Sequence, residues 1–340
     1  MNFLSRTPEA YPYRVRGWRP AVSEHFTRVR AKGWSDNARV KVTVDDVRLY
    51  FDVDGCGLVA RGKAMVPKPT LVLLHGGPGA DHSLFKPEFS AMADAAQVIY
   101  LDQRGSGRSD RGDPETWTWQ RWGDDVAEFC RALDIQTPVL VGTSAGAQVA
   151  VECATRHPGL AAGLVLDSTL FETTSLEDSL EVFERRGGAA AREAAARFLG
   201  GDFGPEAGAA WAKYCLPLYG DGSGGDDMAE RGARAIINRD VVARFRRGEC
   251  GPQKGVTAAE IDALTCPVLI LSGEDDPMSP AGAARRLAAS VQRTVELHVF
   301  TGVGHGVFRQ APSRAFALLR AFLAGEPAQP GQLQQDQTLR

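Results

Sequence analysis

Ser144, in the run GTSAG at 142–146, is the side chain best placed to act as a nucleophile. A serine hydroxyl attacks poorly at neutral pH. It needs a base within hydrogen-bond reach and a third group to orient that base. The chain has six histidines. His25 and His82 lie outside any strand-end position, and His298 alternates within a strand. His157 precedes Pro158 at a helix end, where its charge suits the helix dipole. His75 opens a glycine loop. His305 follows the last strand inside the loop TGVGHG at 301–306, which can cross the end of a sheet, so it is the expected base. Glu274, Asp275 and Asp276 all qualify by position as the acid. Asp276 stands before Pro277, which keeps the chain out of the helical region, and is the expected carboxylate, with Asp275 as the alternative.

An acyl transition state also needs donors for its developing negative charge. Ala145 N–H, at the start of a helix, and Gly77 N–H, in a glycine loop, are the expected oxyanion hole. Each can contribute about 3 kcal/mol of selective stabilisation. The order Ser144, Asp276, His305 differs from the order in either common serine protease arrangement.

These residues need a scaffold. Val139, Leu140 and Val141 read as a buried strand, and residues 145–154 as a packed helix, with Ser144 at the sharp turn between them. Gly142 and Gly146 leave room for that turn. Residues 40–44 and 47–53 alternate as an edge hairpin. Strands are expected at 70–74, 97–101, 163–166, 267–271 and 295–300, with helices near 83–94, 121–133, 280–289 and 311–323. Trp117, Trp119 and Trp122 read mainly as packing. Alternating strands and helices predict an α/β fold with a mostly parallel central sheet flanked by helices, whose ligands bind beyond the strand ends. The strand pattern stops over 170–256, which predicts an inserted helical cap. The expected organisation is an arm at 1–38, a core at 39–169 and 257–324, the cap, and a flexible tail at 325–340. The run GDGSGGDD at 220–227 reads as a surface loop.

The 340 residues carry a formal net charge of -3, and no strongly basic block points to nucleic acid. The six cysteines show no metal-ligand or C-x-x-C spacing, which favours free thiols in a reducing compartment. The first residues lack the apolar run of a signal peptide, and no run reaches membrane-spanning length. A cytoplasmic protein is expected. A homo-oligomer built through the arm is left open.

Together the motifs resemble the α/β-hydrolase superfamily over 40–169 and 257–323. They resemble more narrowly its prolyl aminopeptidase (proline iminopeptidase) group, through HGGPG at 75–79, DQRGSGRSD at 102–110 and GTSAG around Ser144. The resemblance implies a G-x-x-D turn ending at Asp276, a base loop ending at His305, and an oxyanion hole of Gly77 and Ala145. It also implies that Arg104 braces the neighbouring loops, and His75 and Gly76 are expected to be structural residues near the site. Two departures stand out. The group usually has tryptophan after the nucleophile, where this chain has Ala145. Its cap carries W-x-x-W-E, whose glutamate helps hold the substrate amine. The local look-alike at 211–215 puts Cys215 in the glutamate's place, with Glu177, Asp178, Glu181 and Glu184 as other acidic cap residues.

The expectation is a serine hydrolase acting on a small-molecule or short-peptide substrate through an acyl-serine, without metal or organic cofactor. Aminopeptidase action stands beside carboxylesterase, lactonase or specialised amidase action, and an acceptor other than water is open. A serine nucleophile argues against haloalkane dehalogenase and epoxide hydrolase chemistry. A non-catalytic binding protein on the same fold is the remote alternative.

Overall fold

The computed structural model describes residues 40–220, 228–251 and 255–326. The expected arm, nearly all of the surface loop after Gly220, and the tail beyond Glu326 lie outside the described residues.

Alternating apolar residues form β1 (Lys41–Val44) and β2 (Val47–Asp54), an antiparallel hairpin turned at Asp45 and Asp46. β3 (Leu58–Arg61) and β4 (Ala64–Pro67) form a separate two-stranded ribbon. Sequence reasoning overlooks this ribbon because its residues are mostly exposed, so no buried face writes an alternation into the chain. β5 (Thr70–Leu74), β6 (Gln97–Leu101), β7 (Val139–Thr143), β8 (Gly163–Asp167), β9 (Val268–Gly273) and β10 (Glu296–Phe300) pair in parallel. The eight-stranded sheet runs β1-β2-β6-β5-β7-β8-β9-β10.

The short apolar runs that build β5 to β9 are buried on both faces, as a parallel sheet requires. Successive side chains point to opposite sides. Val72, Leu74, Leu140 and Leu164 pack with α1 (Trp119–Ala132) and α2 (Ala145–Arg156). Leu71, Leu73, Val141 and Val165 join a second cluster with Phe89, Phe316 and Leu319. Burying each such leucine contributes about 1.5–3 kcal/mol.

Between β8 and β9 the chain runs through α3 (Leu176–Leu199), α4 (Pro205–Tyr214), α5 (Met228–Arg234), α6 (Arg239–Arg246) and α7 (Ala258–Ala263). The only strand-like pairing among the described residues of this stretch is one bridge, Phe171 to Val256, which brings its two ends together. α3 kinks at Gly188, where φ is 73°. Phe183, Ala194, Trp211 and Cys215 give α3 and α4 a core of their own. After β9 come α8 (Ala281–Ser290), β10, the single turn α9 (Val307–Gln310) and α10 (Pro312–Ala324).

The helix expected over 83–94 is instead two 3-10 turns, His82–Phe85 and Glu88–Met92. Pro87 separates them. It has no N–H to give and holds Lys86 extended, at φ -101° and ψ 141°. All six cysteines are free thiols, and all but Cys56 are buried. Among the described residues no helix is long and apolar enough to cross a membrane.

Candidate active site

β7 ends at Thr143 and α2 begins at Ala145, so Ser144 alone makes the turn. Its φ of 54° and ψ of -121° are strained for an L-residue, at a cost of about 1–3 kcal/mol. Ser144 N–H donates to Asp167 O at 2.9 Å, and Ala147 N–H donates to Ser144 O at 3.0 Å. The turn also requires bare backbone beside it. A Cβ on Gly146 would overlap Leu74 O, and one on Gly142 would lie 2.5 Å from Ala147 N.

Asp276 and His305 extend from the loops after β9 and β10. His305 Nδ1 lies 2.9 Å from Asp276 Oδ2. The other carboxylate oxygen accepts N–H bonds from Met278 at 2.8 Å and Ser279 at 2.9 Å. Burial alone would raise this fully buried carboxyl. The His305 charge and bond, with the two amides, outweigh burial and hold it below the usual range. Burial would likewise lower His305, but Asp276 first and then the Asp167 charge hold it above its ordinary value. A carboxylate on Nδ1 keeps a proton there and leaves Nε2 to accept one.

Ser144 and His305 line one cavity of about 370 Å³, together with Gly76, Gly77 and Ala145. Gly77 has a φ of 125°, open to glycine and not to an ordinary side chain. Ala145 is the first residue of α2, so its N–H has no partner within the helix. Among the described residues, Gly77 N–H is given to no protein acceptor. Hydroxyl, imidazole and two uncommitted amides therefore border the same space. That arrangement can form and break an acyl-oxygen bond.

The model of the alpha/beta hydrolase family matches residues 71–318, well over half of the chain. The chain belongs to that family. The 2-(acetamidomethylene)succinate hydrolase of Mesorhizobium japonicum is 26% identical over 276 residues, 80% of this chain and 93% of that protein. A proline iminopeptidase of Lactobacillus helveticus is 36% identical over 107 residues, 30% of this chain and 36% of that one. The crystal structure of a proline iminopeptidase from Mycobacterium smegmatis matches with a TM-score of 0.67 at 23% identity. That match covers 85% of this chain and 98% of the other, and it speaks for the fold.

In this alpha/beta hydrolase the motif residues outside the cavity act as braces. His75 is buried, which lowers its basicity. Its Nδ1 donates to Gly76 O at 2.9 Å, and its Nε2 accepts from Gln103 N–H at 3.2 Å. Gln103 Nε2 donates back to His75 O at 2.8 Å, joining the two glycine loops. Arg104 is fully buried. It donates to both Asp125 oxygens, at 2.7 and 2.9 Å, and to Asp46 at 2.6 Å, which ties its loop to α1 and to the β1–β2 turn.

Two groups of residues at the site were not singled out from sequence. Asp167, at the end of β8, lines the cavity and accepts Val307 N–H at 3.0 Å. Ser168 Oγ accepts Gly306 N–H at 2.7 Å, so β8 holds the turn after His305. Burial pushes the Asp167 carboxyl up. The one local signal for Asp167 is its place at the end of an apolar strand run, and its approach to the site depends on its register partner, Thr143. From the insertion, Tyr219 O accepts His305 N–H at 2.8 Å. Arg186 donates to Leu218 O, to Gly220 O at 2.6 Å and to Asp275 O at 2.9 Å. Arg185 pairs with the Asp275 carboxylate, so that side chain faces the insertion while Asp276 faces His305.

The acidic residues considered for a substrate amine do not line the cavity. Glu177 and Glu184 pair with Arg192, Asp178 caps α3 and pairs with Arg286, and Glu181 is exposed. Trp211 and Cys215 sit inside the insertion's core. Of the tryptophans among the described residues, only Trp119 reaches the cavity, whose apolar wall includes Leu84, Phe85, Phe89, Phe245 and Phe308.

Proposed function

We propose that this hydrolase cleaves esters or activated amides of small, uncharged, largely apolar acyl groups through an acyl-serine on Ser144. The observation that carries the reading is the convergence of a strained Ser144, the His305–Asp276 pair and two uncommitted amides on one cavity. His305 Nε2 takes the Ser144 proton as Oγ attacks the acyl carbon. Gly77 and Ala145 N–H receive the oxyanion, and Asp276 stabilises the imidazolium. The imidazolium then gives its proton to the leaving group. Water, activated by the same imidazole, releases the acid.

The acyl preference is supported by the aromatic and aliphatic wall and by the lack of an uncommitted carboxylate among the described lining residues. A substrate ammonium buried there would lack its counter-ion. Aminopeptidase action is the second reading, favoured by HGGPG and DQRGSGRSD and by the named relatives. Those motifs contribute bracing and an oxyanion donor, which any acyl substrate would use.

A fluorophosphonate probe is expected to label wild type at Ser144 and to leave Ser144→Ala unlabelled. Equal labelling of both would remove the acyl-serine. Aryl butyrates are expected to exceed prolyl and alanyl arylamides in kcat/KM. The reverse ranking, with loss on N-acetylation, would restore the aminopeptidase reading.

A further inference from the structure

The cavity wall holds a charge pair that the acyl chemistry does not use. Glu88, from the 3-10 turn after Pro87, and Arg231, from α5, both line the cavity. Arg231 Nη1 lies 3.0 Å from Glu88 Oε2, and its Nη2 contacts Oε1, a two-pronged grip on the carboxylate. The two side chains are only 5% and 17% exposed. Arg231 also lies 3.4 Å from Leu84 O and Lys86 O, and Arg234 donates to Lys86 O at 3.0 Å. α5 is thereby docked over this wall. The other cavity carboxylate, Asp167, is occupied by Val307 N–H, Thr143 and Ser168.

A carboxylate facing an acyl-transfer cavity is a ready counter-ion for a substrate ammonium. Without a partner it would be a costly buried charge. Here the partner belongs to the protein. We propose that Arg231 is a specificity-determining residue: it masks Glu88, denies the cavity a free carboxylate, and so disfavours substrates bearing a free amine beside the scissile bond. The proposal rests on Ser144 as the nucleophile and names the substrate charge class of that site.

Removing Arg231 should turn the selectivity, and Glu88 should be the group on which it turns. Arg231→Met exposes a carboxylate and should favour ammonium-bearing acyl groups. Glu88→Gln removes that carboxylate and should not favour them. The assay compares kcat/KM for aryl esters of alanine and N-acetylalanine, with aryl butyrate as the measure of acyl-serine turnover.

In Arg231→Met the alanine to N-acetylalanine ratio is expected to rise at least tenfold. It should fall back in Arg231→Met/Glu88→Gln, where the exposed group is uncharged. In Glu88→Gln alone the ratio is expected to stay at or below its wild-type value. If Arg231→Met fails to fold, Arg231→Gln carries the same test, since its amide can still donate to Leu84 O or Lys86 O. A folded Arg231 variant that turns over butyrate with the alanine to N-acetylalanine ratio at its wild-type value would overturn the masking role. Absence of butyrate turnover in wild type would instead overturn the acyl-serine reading.

Discussion

Among the described residues, two of the histidine–aspartate pairs join through Nδ1, with nearly the same contact and different surroundings. His305 Nδ1 meets Asp276 at 2.9 Å, and His82 Nδ1 meets Asp102 at 2.7 Å. Both carboxylates are fully buried and both are held below the usual range against burial. His305 opens onto the cavity beside Ser144. His82 lies against Tyr50, stacked at 5.6 Å, with Tyr100 tilted at 6.0 Å. Asp102 also accepts the backbone N–H of His82 at 2.9 Å and of Arg108 at 2.8 Å. Arg108 reaches on to Asp81 at 2.7 Å. The second pair is a knot between the two glycine loops. A histidine–aspartate contact therefore carries no chemistry by itself; the free ring nitrogen must open onto a hydroxyl and a space for substrate.

The comparison is broken most sharply by making the same substitution in both pairs. Asp276→Asn should cut kcat by roughly 10⁴-fold while leaving the fold intact, because the imidazole loses its tautomer and its counter-charge. Asp102→Asn should leave ester turnover within a few-fold of wild type. Its cost should appear in thermal unfolding as about 1–3 kcal/mol of lost stability. Steady-state kinetics and melting curves on both variants check the contrast, and a collapse of kcat in Asp102→Asn would erase it.

The pH dependence sharpens it next. His305 must be neutral to take the serine proton, and its carboxylate neighbours raise its pKa. The kcat/KM should therefore fall on the acid side through a value above that of an ordinary histidine, and level off at higher pH. Asp167→Asn removes one of those charges and should move this limb to lower pH, by up to about one unit. A limb that stays in place would reduce Asp167 to holding the turn.

Asp102 gives the smallest effect. Its depressed carboxyl contributes stability that is present above the unfolded value, about 3.9, and is lost as pH falls through the folded one. Denaturant unfolding of Asp102→Asn should show a flatter stability curve below about pH 4 than wild type.

What was legible in the sequence was local. Short apolar runs ending in polar or glycine-bearing loops mark the parallel strands and place Ser144, Asp276 and His305 beyond strand ends. The misread helix over 83–94 was also a local matter, since Pro87 interrupts it. The illegible parts depend on distant partners. Asp167 reaches the site because it lies beside Thr143 in the sheet. Glu88 and Arg231 are separated by 143 positions. The tryptophan and Cys215 of the look-alike segment lie four residues apart, on one helical face, and that face turns into the insertion's own core.

The Tyr219 carbonyl that holds His305 N–H is a main-chain group, one that every amino acid supplies. The insertion is tied to the base first by the path of its backbone, and the Tyr219 ring adds an edge contact to the His305 imidazole at 5.3 Å. This sets a rule for exchanging segments between related hydrolases. A donor segment of otherwise different composition can serve if it returns a carbonyl to the same place above His305 and an aromatic edge beside its ring. One that matches residue for residue but takes another route would leave a folded core with a slack imidazole.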